Sequence, residues 1–364
     1  MINLKQKTQL TDNLIQELRL SHSNELKEEL IKYSKEVGID AIGFSSVDSF
    51  LFLGEELRRR EEVGWSSGLA KGTIEERTNP ILSMSDAKSF ISIAIAYPRK
   101  ANLPKQDRSN PFAQFSRSSW GMDYHQFVDA KLQLLDDWLR DNIPGIKVIR
   151  SVDTGVFNDR AIALRSGIGF SGKNSSIIHQ ELGSYIYLGE LLVNYEFTPD
   201  VMKERQCGTC NRCVRACPTK AIQADGGLNE KRCLSYVTQA KEYLDPELYE
   251  KISQTIYGCD ICQEVCPFNA EVDFHHHPEL EPTGVEFPNI QEILTLTNKE
   301  FKMKYGHLAG SWRGVSVLKR NAMFNAGFYK YKEALPEILK IRDGQGPKWL
   351  KDAAKQAYIR LEKR

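Results

Sequence analysis

At 364 residues, with 41% apolar and 27% charged side chains, the chain has the balance of an ordinary soluble protein and room for two or three domains with real cores. No apolar run approaches the roughly 18–20 residues that span a bilayer, and the opening MINLKQKTQLTDNL lacks both an apolar stretch and a twin-arginine pair, so neither a membrane anchor nor export is expected. The net charge of +1 hides an asymmetry: residues 301–364 carry 15 Lys/Arg against 5 Asp/Glu, and the preceding 300 carry 34 against 43.

The first part alternates helical and extended patterns. SNELKEELIKYSKEVG places Leu26, Leu30, Tyr33 and Val37 on one helical face, with Ser23 as N-cap and Gly38 as the stop. DAIGFSSV and SFISIAIAYP read as strands, the second so uniformly apolar that it predicts burial on both faces. YHQFVDAKLQLLDDWLRD is an amphipathic helix, while GIKVIRSVD and GSYIYLGELLVNYEF give two more strands. This alternation predicts an α/β domain over residues 1–197.

Residues 198–275 hold all the cysteines and form a second unit. A Pro- and Gly-rich stretch, HHHPELEPTGVEFP, then reads as a linker, its three histidines as a surface turn rather than a metal site. The third unit, 276–364, contains short amphipathic helices: NIQEILTLT, SVLKRNAMFNAGFYK, ALPEILKIR and KWLKDAAKQAYIRLEKR. They suggest a small α-helical HEAT-like module. Its basic balance invites a polyanionic partner such as nucleic acid, unless the cations simply solvate helix faces.

In a cytoplasmic protein, thiols stay reduced and clustered cysteines read as metal ligands. CGTCNRCVRACP supplies a C-x2-C-x2-C triple, compact enough for three corners of one 4Fe–4S cube, and then a fourth cysteine before proline that is carried toward a neighbouring cube. CDICQEVCP supplies two cysteines and its own crossing cysteine, and Cys233 is the one left to complete the set. One cluster therefore takes Cys207, Cys210, Cys213 and Cys266; the other takes Cys217, Cys233, Cys259 and Cys262. Paired zinc sites also accept four cysteines each, but the tight triple and both Cys-Pro endings favour iron–sulfur. Two adjacent clusters make an electron path. It serves either a carrier protein or a catalytic centre, and the large domain before it argues for the latter.

Within that domain, Asp153 ends a buried strand, where desolvation would raise its pKa and suit it to act as a general acid; a turn-capping role is the plainer reading. GIGFSGK makes a Gly-rich turn with Lys173, without being a Walker or dinucleotide fingerprint. Asp123, Tyr124 and His125 precede a helix that Asp123 would cap.

The combination of VDTG, GIGFSGKNS, GSYIYLGELL, CGTCNRCVRACPTKAI, RCLSYVTQ and YGCDICQEVCPFN resembles the epoxyqueuosine reductase family, from about Arg77 to the KRNA of 319–322. The resemblance implies a cobalamin-binding α/β fold like that of reductive dehalogenases and nitroreductases, beside a two-cluster ferredoxin-like domain. It implies two-electron removal of the epoxide oxygen of epoxyqueuosine at the tRNA wobble position, with electrons passing through the clusters to cobalamin and Asp153 giving the proton. Tyr97, Asp153, Ser175, Ser176, Ile177, Leu188 and Ser235 would line the cofactor pocket. Lys241, Lys304, Trp312, Arg313, Lys319, Arg320 and Asn321 would meet the anticodon arm. A low-potential donor such as ferredoxin or flavodoxin and a monomeric state complete the expectation. A corrinoid reductive dehalogenase shares the layout but not the basic tail, and a plain electron-transfer protein leaves the first domain without a role.

Overall fold

The computed structural model describes residues 21–107, 109–204 and 206–362; the opening segment screened above for an export signal lies outside them. Helix α1 (21–36) buries Leu26 and Leu30, and Gly38 ends it with φ of 76°. Ser23 lies inside this helix rather than capping it, and its Oγ donates to the Glu196 carbonyl at 2.6 Å. Next come β1 (Ala41–Ser46), α2 (Leu51–Glu62), α3 (Ile74–Thr78), β2 (Ser89–Ala96) and a short β3 (Gln114–Phe115). Helix α4 (Tyr124–Asn142), β4 (Val148–Ser151), α5 (Asp159–Arg165), β5 (Phe170–Ser171), β6 (Ile177–Ile178) and β7 (Ile186–Val193) complete the first unit.

Four strands form one sheet in the order β1-β2-β7-β4, and every neighbouring pair is antiparallel. Helix–strand alternation usually signals a parallel sheet; here it does not, because alternation along the chain leaves strand direction open. The uniform burial of β2 is as expected. Its Ile91, Ile93 and Ile95 face the core built with α1 and α4, while Phe90, Ala94 and Ala96 pack on the side of α5. Period-two geometry thus lets one apolar strand serve two layers.

From residue 206 the elements shorten to α6 (Arg212–Ala216), α7 (Leu234–Val237), α8 (Pro246–Glu250), β8 (Thr255–Tyr257) and α9 (Ile261–Glu264). The tail follows as α10 (Ile290–Thr295), α11 (Asn298–Tyr305), α12 (Val315–Tyr329), α13 (Leu335–Asp343) and α14 (Lys348–Glu362). Helix α11 adds to the expected set, marked by a capping box between Thr297 and Glu300. A single apolar core runs from Leu234 through Ile256 into the tail as far as Leu361. The boundary at 275/276 therefore divides composition but not packing. Strand β3 pairs in parallel with β8 and brings Phe115 of the first unit into the same core.

Polar groups lock this shared core. Arg320 is fully buried and donates to the carbonyls of Val237, at 2.6 Å, and Ala240. Asn321, equally buried, donates to Thr238 and Ile256 at 2.8 and 2.7 Å. Arg360 on α14 reaches the Tyr249 carbonyl at 3.1 Å. Burial pulls the Arg320 guanidinium down to about 10, so it stays charged at neutral pH while satisfying backbone acceptors that have no strand partner. The expectation that Arg320 and Asn321 touch RNA is corrected: neither presents an atom to solvent. The histidine run is only partly a surface turn. His277 is buried, with Nε2 2.8 Å from Asp40 Oδ2, and Asp40 also accepts from the Ala96 amide.

Replacing Asn321 with Ala would strand the Thr238 and Ile256 carbonyls. Denaturant unfolding should show a loss of about 1–3 kcal/mol, with RNA affinity unchanged in the protein that remains folded. Unaltered stability combined with weaker RNA binding would reverse the assignment.

Candidate active site and cysteine frame

All eight cysteines are free and partly buried. Their electrostatic neighbours sort them into two groups. Cys213 and Cys266 both sense Cys207 and Cys210, and Cys266 senses Cys213 as well. Cys233 senses Cys217, and Cys259 and Cys262 both sense Cys233. This is the crossed arrangement that the spacing requires, and it arises because α6 packs against α9. Cys262 also senses Cys213, so the groups adjoin. Burial pushes the Cys262 thiol up to about 12 and the Cys259 thiol well above its ordinary range. Such thiols ionise only against a compensating metal charge. Among the described residues no three side chains close on a single-ion site; a cube, which holds its four thiolates at separate corners, does not ask for that.

Lys173 does not face a phosphate cradle. Its Nζ donates to the carbonyls of Gly208 and Cys210, each at 3.0 Å, and to Asn211 Oδ1 at 2.9 Å. The Gly-rich turn of the first unit thereby clasps the first cysteine loop.

Arg160 acts electrostatically both on Cys233 of the second cysteine group and on Asp153. Two residues past the end of β4, Asp153 adopts φ of 51°, and the Thr154 amide donates to the Val152 carbonyl across it at 2.5 Å. A positive φ at the centre of such a three-residue turn is strained and re-aims the side chain out of the sheet. The carboxylate meets His125 Nε2 at 3.4 Å, while Asp123 Oδ1 holds His125 Nδ1 at 2.7 Å and caps α4 through the His125 amide. Tyr124 stacks between His125 and Tyr187, with centroids at 4.0 and 4.5 Å, and presents its hydroxyl to Asp153.

The protonation pattern differs from the expected one. The hydrogen bond from His125, opposed by burial, holds the Asp153 carboxyl below the usual carboxylate range. Burial works against His125, but Asp123 and Asp153 outweigh it and raise the imidazole to about 9. At neutral pH the proton therefore sits on His125 and Asp153 is anionic. Behind them, burial and the Asp153 charge raise Asp159, whose Oδ2 accepts from the Asp153 amide at 3.0 Å. Glu190, fully buried in mid-sheet, is raised well above its ordinary value by burial and by Asp159.

Other expected residues fall into two classes. Ser175 has φ of 63°, and its carbonyl accepts from Arg160 Nη1 at 3.2 Å; Arg160 acts electrostatically on both Asp153 and Cys233. The Ser176 amide is turned by Asn174 Oδ1, and Asn174 touches Cys262. The Ser235 carbonyl accepts from Gln239 Nε2 at 2.8 Å, and Gln239 Oε1 lies 3.3 Å from both Tyr257 Oη and Trp312 Nε1. Tyr257 senses Asp153 in turn. These residues surround one mouth. Tyr97 and Ile177 do not open onto it: both are packed in cores, Tyr97 against Tyr187 at 4.3 Å, and Leu188 packs beside Ile177. Of the residues expected to meet RNA, Trp312 is exposed, with Arg313 4.0 Å over its ring. Lys241 is exposed, Lys304 is paired with Glu292 at 2.6 Å, and burial lowers the half-buried Lys319. Asp159, Glu190, Arg160, Asn174 and Tyr257 were not singled out from the sequence. Only Asn158 before Asp159, a helix-cap signal, hinted at any of them.

A family model described as "Epoxyqueuosine reductase QueG, DUF1730" matches residues 77–154, and one described as "4Fe-4S double cluster binding domain" matches 206–269. The epoxyqueuosine reductase of Bacillus anthracis is 46% identical over 319 residues, covering 87% of this chain and 84% of the relative. That of Lactococcus garvieae is 42% identical over 338 residues, covering 93% and 96%. A solved epoxyqueuosine reductase with a tRNA-Tyr epoxyqueuosine-modified stem loop superposes with a TM-score of 0.89 at 42% identity, over 93% of this chain and 91% of that one. The Bacillus subtilis enzyme, described with its catalytic aspartate loop swung out of the active site, gives the same figures.

Because the folded pKa of His125 lies above its unfolded value, its network stabilises fully below about pH 6.5 and is lost as pH rises through about 9. A ring titration by NMR should show the raised midpoint. In His125→Gln the alkaline fall in stability across that window should shrink. An unshifted midpoint would dissolve the ion network.

Proposed function

This chain belongs to the epoxyqueuosine reductase family, and we propose that it reduces the epoxide of epoxyqueuosine in the tRNA anticodon to the alkene of queuosine. Two electrons and two protons remove the oxygen as water. The observation that carries the reading is that Arg160 acts on both Asp153 and Cys233, tying the second cysteine group to the Asp153–His125 pair.

The residues of the mouth fit a corrin. Arg313 Nε is buried near Tyr257 without a partner, and an unsatisfied donor of this kind suits the carboxamide rim of cobalamin. Ser175, Ser176 and Ser235 add short polar contacts, while Tyr97, Ile177 and Leu188 pack the wall behind. Cobalamin, when bound, supplies a metal that can be reduced strongly enough to open a strained C–O bond. Asp153 faces the oxygen on which negative charge develops, and His125 holds the proton that the pair hands over. Tyr124 fixes the ring of His125 by stacking.

The tail, read as a HEAT-like module, supplies the RNA surface. Trp312, with Arg313 over its face, is a stacking platform for an unpaired base, and Lys241 and Lys319 are placed for phosphates. Lys304 is a weaker donor because Glu292 already holds it. Electrons come from a low-potential carrier such as ferredoxin or flavodoxin, and the protein acts as a cytoplasmic monomer. Among the described residues no helix is long and apolar enough to cross a membrane.

Asp153→Asn, reconstituted anaerobically with iron, sulfide and cobalamin, should lose about 10²–10⁴ in turnover. The readout is mass-spectrometric loss of one oxygen from the nucleoside, with cluster absorbance and RNA affinity preserved. Near-normal turnover would remove Asp153 from the mechanism. Trp312→Ala should weaken stem-loop binding by about 1–3 kcal/mol, and wild-type binding should fall steeply with salt. Salt-insensitive binding would exclude the basic surface.

A further inference from the structure

Electrons that leave the frame beside Asp153 must enter it elsewhere. At the other group a cavity of about 650 Å³ has Cys266 in its wall, with Arg99, Arg212 and Arg215 around it. Arg212 and Arg215, both exposed, sit three residues apart on α6 and form no ion pair among the described residues. Arg99 spends one nitrogen on the Ala270 carbonyl at 3.0 Å. The one acid lining the cavity, Glu264, is already held by Arg117 at 2.8 Å. Behind the same thiol group, the Lys173 ammonium rests on the Gly208 and Cys210 carbonyls. The mouth is therefore cationic, although the first 300 residues as a whole are net acidic. A local reversal of charge beside a cluster ligand is the signature of steering rather than of general solubility.

We propose that Arg99, Arg212 and Arg215 form the docking surface for a small acidic electron-carrier protein, which passes electrons in through the wall at Cys266. The inference rests on reading the cysteine frame as an electron path. In each encounter the carrier is oxidised by one electron and this chain is reduced by one; two encounters supply one epoxide reduction. A shallow arginine rim suits the small, transient interfaces of redox partners, which must separate between deliveries. RNA is the poorer occupant, because the exposed stacking pair of Trp312 and Arg313 stands at the Asp153 end of the frame instead.

The test follows cluster bleaching by stopped flow in reconstituted full-length protein, with reduced flavodoxin as the acidic carrier and reduced methyl viologen as a small dye. The wild-type rate with flavodoxin should fall as salt rises. Arg212→Glu combined with Arg215→Glu should slow it by roughly tenfold or more at low salt, with dye reduction not slowed and stem-loop affinity unchanged. If the double variant takes up no clusters, Arg99→Gln and the wild-type salt series decide the question. A flavodoxin rate indifferent to salt and to these substitutions overturns the proposal. So does a variant that keeps its flavodoxin rate but loses RNA affinity, which would make the rim an RNA surface. Failure of even the dye to reduce the loaded protein would instead sink the underlying reading of the frame as an electron path.

Discussion

The constraint on which the structure depends is that each group of four thiols draws on both cysteine runs, the second group taking Cys233 from between them as well. Neither segment can hold its own shape. Helices α6 and α9 span five and four residues, well below the length at which a helix is stable alone. Their positions are therefore imposed from outside. Lys173 clasps one loop from the first unit, and Arg117 reaches over from it to Asp260 and Glu264 at 3.0 and 2.8 Å. From the tail, Arg320, Asn321 and Arg360 tie down the carbonyls of the segment that joins Cys233 to Cys259. The tail thus serves the cofactor frame before it serves any RNA.

On the reading proposed above, proton and electron chemistry meet where these supports converge. Asp153 is held out of its sheet by a left-handed turn, paired with a protonated His125 and backed by the half-buried Asp159 and the buried Glu190. Glu190 sits in mid-strand opposite Ser92 and Ser151, fully buried and close to the Asp159 carboxyl. A carboxyl so enclosed stays neutral, since charging it would cost more than the fold could return. Burial and Asp159 raise its affinity for protons, whereas His125 lowers that of Asp153. Environment, rather than residue type, separates their roles.

The cationic rim flanks Cys266 of the first cysteine group, and the Trp312–Arg313 pair adjoins Tyr257, which senses Asp153. If both proposals hold, a carrier would dock at one place and the nucleic acid at another. The chain also holds two kinds of arginine. Arg212 and Arg215 are exposed to water; Arg320 and Arg360 are buried and spend their donors on backbone carbonyls.

Much of this was legible from residue order alone. The strands over 41–46, 89–96, 148–151 and 186–193 follow from runs of apolar and β-branched residues, and the cysteine grouping follows from spacing, because a cube limits which thiols a short loop can bring to it. Local chemistry of that kind is written in neighbouring residues. The antiparallel sheet, the single core shared by the cysteine segment and the tail, and the burial of Arg320 and Asn321 are not, since each depends on contacts between residues far apart in the chain. The same holds for the proton. Sequence placed Asp153 at a strand end and suggested a raised pKa. Only the fold put His125 against it and moved the proton to the imidazole, because a pKa is set by the charges and solvent that the tertiary structure gathers around a group.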